Sequence, residues 1–322
     1  MTGTISITVK NSRNSYQFNL KRNITILCGE SGRGKTTLYN MIADYNRYGK
    51  GSAVKLVCSH QVLALNNDNW QEKIEKTRDS VIVIDEDNFF IRSQEFAEAI
   101  KNSNNYYLLI TRDYLEQLPI SVEEIYEISG SRNKKFKKVY QAIDNMYHEP
   151  IKKHFPVHPA VIITEDSKAG FQFFSKIADE MGIKCISANG KSNIYKLLSN
   201  YEKDDVLIIA DGAAFGTEIR DIVKRQKLFP NKISIFLPES FEWLILKSGL
   251  VCNPLEENLV EPENYIESEK YFSWERYFTY ILIELTKNNQ YKRYSKSQLA
   301  DFYIHKKSIS DIKKIMKNID FQ

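Results

Sequence analysis

The chain has 322 residues, 42% of them hydrophobic and 27% charged, with a formal net charge of +4. This length predicts two domains, each able to bury a core, and the composition is that of an ordinary soluble protein. No apolar run approaches the roughly 20 residues that span a bilayer, and residues 1–10 lack a basic-then-apolar leader, so the expectation is a cytoplasmic chain without a membrane partner.

From the start of the chain, residues 4–9 and 16–20 read as strands about an Asn-Ser-Arg-Asn turn, and residues 24–28 as an apolar strand. The next eight residues are Gly29, Glu30, Ser31, Gly32, Arg33, Gly34, Lys35 and Thr36, a complete G-x-x-x-x-G-K-[ST] pattern, and Thr37 opens a helix-like stretch. The glycines let backbone N–H groups wrap a polyphosphate, and the helix adds the positive end of its dipole. Lys35 is placed to reach the β- and γ-phosphates and the Thr36 hydroxyl to bind Mg²⁺, so residues 29–37 form the expected ATP-binding segment.

Residues 79–87 carry four apolar residues in a row and end in Asp85-Glu86-Asp87, as a strand buried on both faces would. Asp85 is expected to hold the Mg²⁺ and Glu86 to orient or deprotonate the attacking water; the competing reading is an acidic strand-end turn. Residues 106–110 form another apolar strand, ending in Thr111-Arg112, where many P-loop ATPases keep a polar sensor of the γ-phosphate. A helix cap explains Thr111 as well. Residues 124–128 and 136–140 then read as a hairpin whose turn carries Arg132, Lys134, Lys135, Lys137 and Lys138.

Residues 141–158 are expected to be a connector, because Pro150, Pro156 and Pro159 disfavour regular structure there and the nearby histidines have no spaced metal partner. Beyond it, strands at 160–164, 184–187, 206–210 and 233–237 alternate with helix-like stretches at 170–181, 193–198, 218–226 and 240–247. The expected organisation is therefore α/β: a P-loop NTPase domain over 1–145, a second parallel-sheet βα domain over 160–255, and a helical basic tail over 256–322. Between Lys287 and Lys317 nine Lys/Arg face two acids, interleaved with Tyr291, Tyr294, Phe302 and Tyr303. Such a mixture suits a nucleic-acid backbone with stacked bases, and solvated helix faces over core aromatics would look the same. Cys28, Cys58, Cys185 and Cys252 lie far apart, and three sit in or beside strands, so buried reduced thiols are expected.

Strand ends in the second half also carry acids: Glu165 and Asp166 after the first, Asp211 and then Glu218 after the third. Carboxylates from neighbouring strand ends can share a hard divalent cation, or can cap the helices that follow. These residues resemble the Toprim domain of topoisomerases, bacterial primases and overcoming-lysogenization-defect (OLD) nucleases over about residues 160–250. Glu165 matches the family's first-strand Glu, Gly190 its Gly, and Asp211 and Gly216 the outer positions of its D-x-D-x-x-G. The segment from Pro238 to Trp243 is similar to the OLD-like branch. The resemblance implies Glu165 and Asp211 as catalytic metal ligands. Ala213 stands where the second Asp would be, and Glu218, Asp166 or Glu242 would have to compensate.

The first half broadly resembles the heads of ABC-type and OLD-type ATPases, through its leading antiparallel strands and Ile84-Asp85-Glu86. It implies ATP hydrolysis through Lys35, Thr36, Asp85 and Glu86, with a homodimer or a partner protein. No L-S-G-G-Q-like segment occurs, which speaks against the usual sandwich dimer. Together the resemblances imply an ATPase joined to a Toprim-like domain that acts on nucleic acid, as a Mg²⁺-dependent nuclease in phage defence or mobile-element biology. The alternative is a nucleotide-dependent switch whose degenerate Toprim-like domain binds without cutting. A translation-type GTPase is disfavoured, because Asn231-Lys232-Ile233-Ser234 lacks the guanine-reading Asp.

Overall fold

The computed structural model describes residues 1–130, 133–140, 157–229, 232–252, 256–317 and 319–321. The connector expected at 141–158 lies almost wholly outside the described residues, as does Arg132 of the hairpin turn. The chain divides into two compact units, Met1–Val139 with Glu261–Ser273, and Tyr140–Val260 with Trp274–Gln322. Residues 256–322 are therefore not one tail. In the first unit, the Asn23 amide donates to the Ser268 carbonyl at 2.8 Å and Lys21 pairs with Glu263 at 2.6 Å, which holds the returning segment.

Among the described residues, the first unit is built on a nine-stranded sheet. Its strands are β1 (Ile5–Lys10), β2 (Ser15–Leu20), β3 (Ile24–Cys28), β4 (Lys55–Val57), β5 (Gln61–Leu65), β6 (Ser80–Ile84), β7 (Tyr106–Ile110), β8 (Ile125–Ile128) and β9 (Asn133–Lys138), in the order β4-β1-β2-β9-β8-β3-β7-β6-β5. The run from β8 to β5 is parallel, whereas β1 pairs antiparallel with β2 and β4, and β8 with β9. Every residue of β6 and β7 is buried, as expected of parallel strands covered on both faces, while β1 alternates buried with exposed positions. Helices α1 (Lys35–Tyr48), α2 (Trp70–Lys76) and α3 (Gln94–Lys101) accompany the sheet. The short strands β4 and β5 were not legible in the sequence.

In the second unit, β10 (Val161–Thr164), β11 (Lys184–Ser187), β12 (Val206–Ile209) and β13 (Ile233–Phe236) form a parallel sheet in the order β11-β10-β12-β13. The helices between them are α4 (Ala169–Met181), α5 (Ile194–Leu197) and α6 (Ile219–Leu228), and α7 (Phe241–Lys247) follows β13. After it come α8 (Trp274–Thr286), α9 (Asp301–Ile304) and α10 (Lys306–Lys313). The aromatic residues in this last region divide. Tyr291 is exposed, but Tyr294 and Tyr303 are buried, with the Tyr303 hydroxyl donating to the Lys292 carbonyl at 2.6 Å. Two of the aromatics read as base-stacking candidates are thus core residues.

All four cysteines are free thiols, but the expectation that they are buried needs correction: Cys28, Cys58 and Cys185 are half-buried and Cys252 is exposed. Burial pushes the Cys185 thiol up to about 11. A thiolate-selective reagent at pH 8 should modify Cys252 first and Cys185 on the order of 100-fold more slowly than an ordinary thiol. Mass spectrometry of a labelling time course checks this, and equal rates at the two sites would contradict it.

Candidate functional site

The first site is the loop between β3 and α1. Gly29, Gly32 and Gly34 all take positive φ, the conformations that let successive N–H groups turn inward. Gly34 has a second constraint: a Cβ there would lie 2.5 Å from Lys134 Nζ and 2.7 Å from the Tyr16 hydroxyl. Tyr16, on β2, donates its hydroxyl to the Gly34 carbonyl at 2.8 Å, and Lys134, on β9, sits over the Tyr16 ring. The loop is therefore braced from behind by two residues that sequence reasoning did not single out for this role. Their contacts join segments far apart in the chain, and no local pattern announces them.

Lys35, 5% exposed, donates from Nζ to the carbonyls of Gly29 at 2.6 Å and Glu30 at 2.8 Å. Burial, then the neighbouring Arg112, lower its pKa. Asp85, 3% exposed, follows β6 and accepts the Glu86 N–H at 2.9 Å, with the Thr36 side chain close enough to favour its charge. Burial raises its pKa, and these two groups pull it back. Thr36 and Asp85 are thus side by side at the mouth of the loop, an oxygen pair suited to a hard divalent cation. Glu86, next in the chain, lies 3.8 Å from the Arg112 guanidinium. Thr111 is 1% exposed and its hydroxyl accepts the Asp113 N–H at 3.0 Å, which shapes the turn after β7.

The second site is a cavity of about 220 Å³ in the second unit, at the C-terminal ends of β10 and β12. Five carboxylates line it (Glu165, Asp166, Asp211, Glu242 and Glu275), with Lys168, Lys296 and Tyr294. The parallel register that sets Thr164 beside Ile209 brings Glu165 and Asp211 together, and Glu165 Oε2 accepts the Asp211 N–H at 3.2 Å. Asp211 Oδ1 accepts the N–H of Phe241, the first residue of α7, at 3.1 Å. Glu242, 1% exposed, accepts the Tyr294 hydroxyl at 2.6 Å on Oε1, while its buried Oε2 has no hydrogen-bond partner among the described residues. Lys296 bonds Glu275 and lies 3.9 Å from Glu242.

This cavity is electrostatically costly. Burial pushes the Glu165 carboxyl up to about 7, and burial with the charges of Glu275, Glu165 and Glu242 raises that of Asp211 well above the usual range. Burial opposes the charge on Lys296, but Glu242, Glu275 and Asp211 outweigh it and raise its pKa.

Glu218 does not join Glu165 and Asp211. It pairs with Lys191 at 3.2 Å and with the Thr217 hydroxyl, and it is not among the residues lining the cavity. Among the described residues no three acid, His or Cys side chains are grouped as a ready cation cage, so the ligand set Glu165, Asp211 and Glu218 is not assembled. The reasons are local: Lys191 captures Glu218, and the Glu165 carboxylate is turned onto a backbone N–H. Ala213 is 2% exposed and brings no carboxylate of its own. Glu275 and Lys296, which do line the cavity, come from α8 and the segment after it, beyond the stretch that carried the resemblance.

The first unit's parallel sheet, phosphate loop and strand-end Asp-Glu pair define a P-loop NTPase domain. Residues 14–158 match the protein-family model described as ABC transporter, so the chain carries an ABC-type ATP-binding domain there. No curated protein matches the chain. Among the described residues no helix is long and apolar enough to cross a membrane.

Proposed function

We infer that the protein hydrolyses ATP at the ABC-type domain and uses that turnover to control a Toprim-like second domain acting on nucleic acid. Residues 29–37 would hold the phosphates, and Thr36 and Asp85 would hold Mg²⁺, which supplies charge to the β- and γ-phosphates when bound. Glu86 would take the proton of the attacking water.

The observation that carries the second half of this reading is the acidic cavity. Glu165 and Asp211 meet at adjacent strand ends, and Glu242 keeps a buried oxygen with no partner among the described residues. Carboxylates crowded so closely repel one another, and a divalent cation drawn from solution would remove that repulsion. Glu165 and Asp211 would have to turn from their backbone N–H partners to receive it, since these acids are not grouped as a ready cage. Lys135 and Lys137 are exposed on β9 and offer charge to a phosphate backbone, whereas Lys138 is paired with Glu123.

The test is incubation of the full chain with ATP, Mn²⁺ or Mg²⁺ and plasmid DNA or structured RNA. Cleavage that disappears in Glu165→Gln supports the reading; cleavage that survives it removes the cavity from the chemistry. The second reading, a nucleotide-dependent switch that binds without cutting, is favoured by Ala213. Calorimetric titration of Mn²⁺ separates the two, since a non-cutting domain needs no saturable site that Glu165→Gln abolishes.

A further inference from the structure

Lys191, in the turn between β11 and α5, reaches into a ring of oxygens on the loop between β12 and α6. Its Nζ donates to the Ala214 carbonyl at 2.8 Å and to Thr217 Oγ1 at 3.1 Å, and lies 3.2 Å from Glu218 Oε2. The Thr217 hydroxyl in turn donates to Glu218. An ammonium carries three N–H donors, and oxygens from three residues meet them. The group is well covered for a lysine: its side chain is 25% exposed and that of Glu218 13%.

Lys191 also joins three strand ends. Gly190, just before it, donates its N–H to the Glu165 carbonyl at 2.8 Å, Ala188 donates to the Thr164 carbonyl at 2.8 Å, and the loop that Lys191 grips begins at Asp211. Burial pushes the Glu165 carboxyl up, and the Asp211 N–H and then the Lys191 charge pull it back, so the fixed cation is felt at the cavity. A carbonyl, a hydroxyl and a carboxylate converging on one point are equally what a hard divalent cation takes. Ala213, on the same loop, adds no carboxylate that would favour a doubly charged occupant over an ammonium.

We propose that Lys191 is a built-in cation filling an oxygen cage that would otherwise take a divalent ion, so that the second unit takes one exchangeable divalent cation and not two. The assignment rests on the cation reading of the acidic cavity and sets its stoichiometry. A tethered ammonium is always present, carries a single charge and has no open position for water. Lys191 is thus a positioning residue: it holds the loop that carries Asp211 beside Glu165 and lends charge there, and the activation of water is left to the exchangeable ion alone.

The experiment uses the full chain, nucleotide-free and chelator-treated, and counts bound Mn²⁺ from the electron paramagnetic resonance signal of the free ion, beside melting curves. Wild type should saturate at one Mn²⁺ per chain and Lys191→Ala at two. A Glu165→Gln background isolates the cage, because the cavity then takes no ion. There Lys191→Ala should melt lower without metal, take up one Mn²⁺ and recover by a few degrees as it does so. Adding Glu218→Gln should abolish that uptake. Lys191→Met keeps the stem but not the ammonium, and it is read in the same way should Lys191→Ala not fold. A lysine that merely staples the loop would leave variants that melt lower and stay low in Mn²⁺, which overturns the assignment, as does a wild type that saturates at two. A wild type that binds no Mn²⁺ overturns the cavity reading, and the gain in Lys191→Ala, present or absent, still upholds or overturns the cage.

Discussion

Glu86→Gln should lower steady-state ATP turnover by about 10²- to 10⁴-fold while leaving ATP binding within a fewfold of wild type. The geometry behind this is specific. Asp85 is buried and committed, with its carboxylate held by the Glu86 N–H beside the Thr36 side chain, so it has little freedom to meet a water. Glu86 is the more exposed of the two, and the Arg112 guanidinium lies 3.8 Å from it. Glutamine keeps the shape of the side chain but not the basic oxygen, so the bound state persists and the proton has nowhere to go. Lys35→Ala should fail earlier. It removes the buried ammonium that now rests on the Gly29 and Glu30 carbonyls, and the loss of such charged hydrogen bonds weakens ATP binding roughly 10- to 100-fold. Equilibrium binding of a fluorescent ATP analogue and phosphate release, measured on both variants, separate the two defects. Glu86→Gln with wild-type turnover would move the base elsewhere.

The contrast between these residues and the rest of the site shows what the sequence could disclose. The phosphate loop was legible because eight contiguous residues must do one thing, and the apolar run of β6 marked a strand whose end had to present Asp85 and Glu86. The parallel sheet of the second unit was legible for a similar reason: short β-branched runs alternate with amphipathic stretches at regular spacing. Thr111-Arg112 was read as the place of a polar γ-phosphate sensor, but that Arg112 is the one of the two that meets the loop depends on β7 lying beside β3, which is a fact of topology. Tyr16 and Lys134 brace Gly34 from strands distant in sequence. Glu218 looked like a substitute ligand by position, but Lys191, 27 residues earlier, neutralises it. Tyr294 and Tyr303 looked like stacking platforms because aromatic residues between lysines have the same pattern whether they face solvent or core. The lone oxygen of Glu242 and the ion pair of Glu275 with Lys296 emerge only when α7 and the segments beyond it close over the strand ends.

The acidic cavity yields the second large effect, and its direction is opposite to that of an ordinary mutation. In chelator-treated protein, Glu165→Gln should raise stability at pH 8 by on the order of 2 kcal/mol, several degrees in melting temperature. The Glu165 carboxyl sits at about 7 in the folded chain against an ordinary value of 4.5. Between those pH values the folded state holds a proton that the unfolded state has released, so wild-type stability falls as pH rises through the window and stays reduced above it. The amide is neutral at every pH and can still accept the Asp211 N–H through its oxygen. The variant's advantage should therefore vanish near pH 4.5, grow through the window, and be complete above about pH 7. Asp211→Asn should behave alike, since its amide oxygen can still accept the Phe241 N–H while the charge facing Glu275, Glu165 and Glu242 is gone. Mn²⁺ should then raise the melting temperature of the wild type and leave both variants where they were. Carboxylates kept only to hold the fold would give the reverse pattern, with each variant melting lower at pH 8 and Mn²⁺ changing nothing. A gain in stability matched to a loss of cation response identifies groups retained at a cost to folding, as functional residues commonly are.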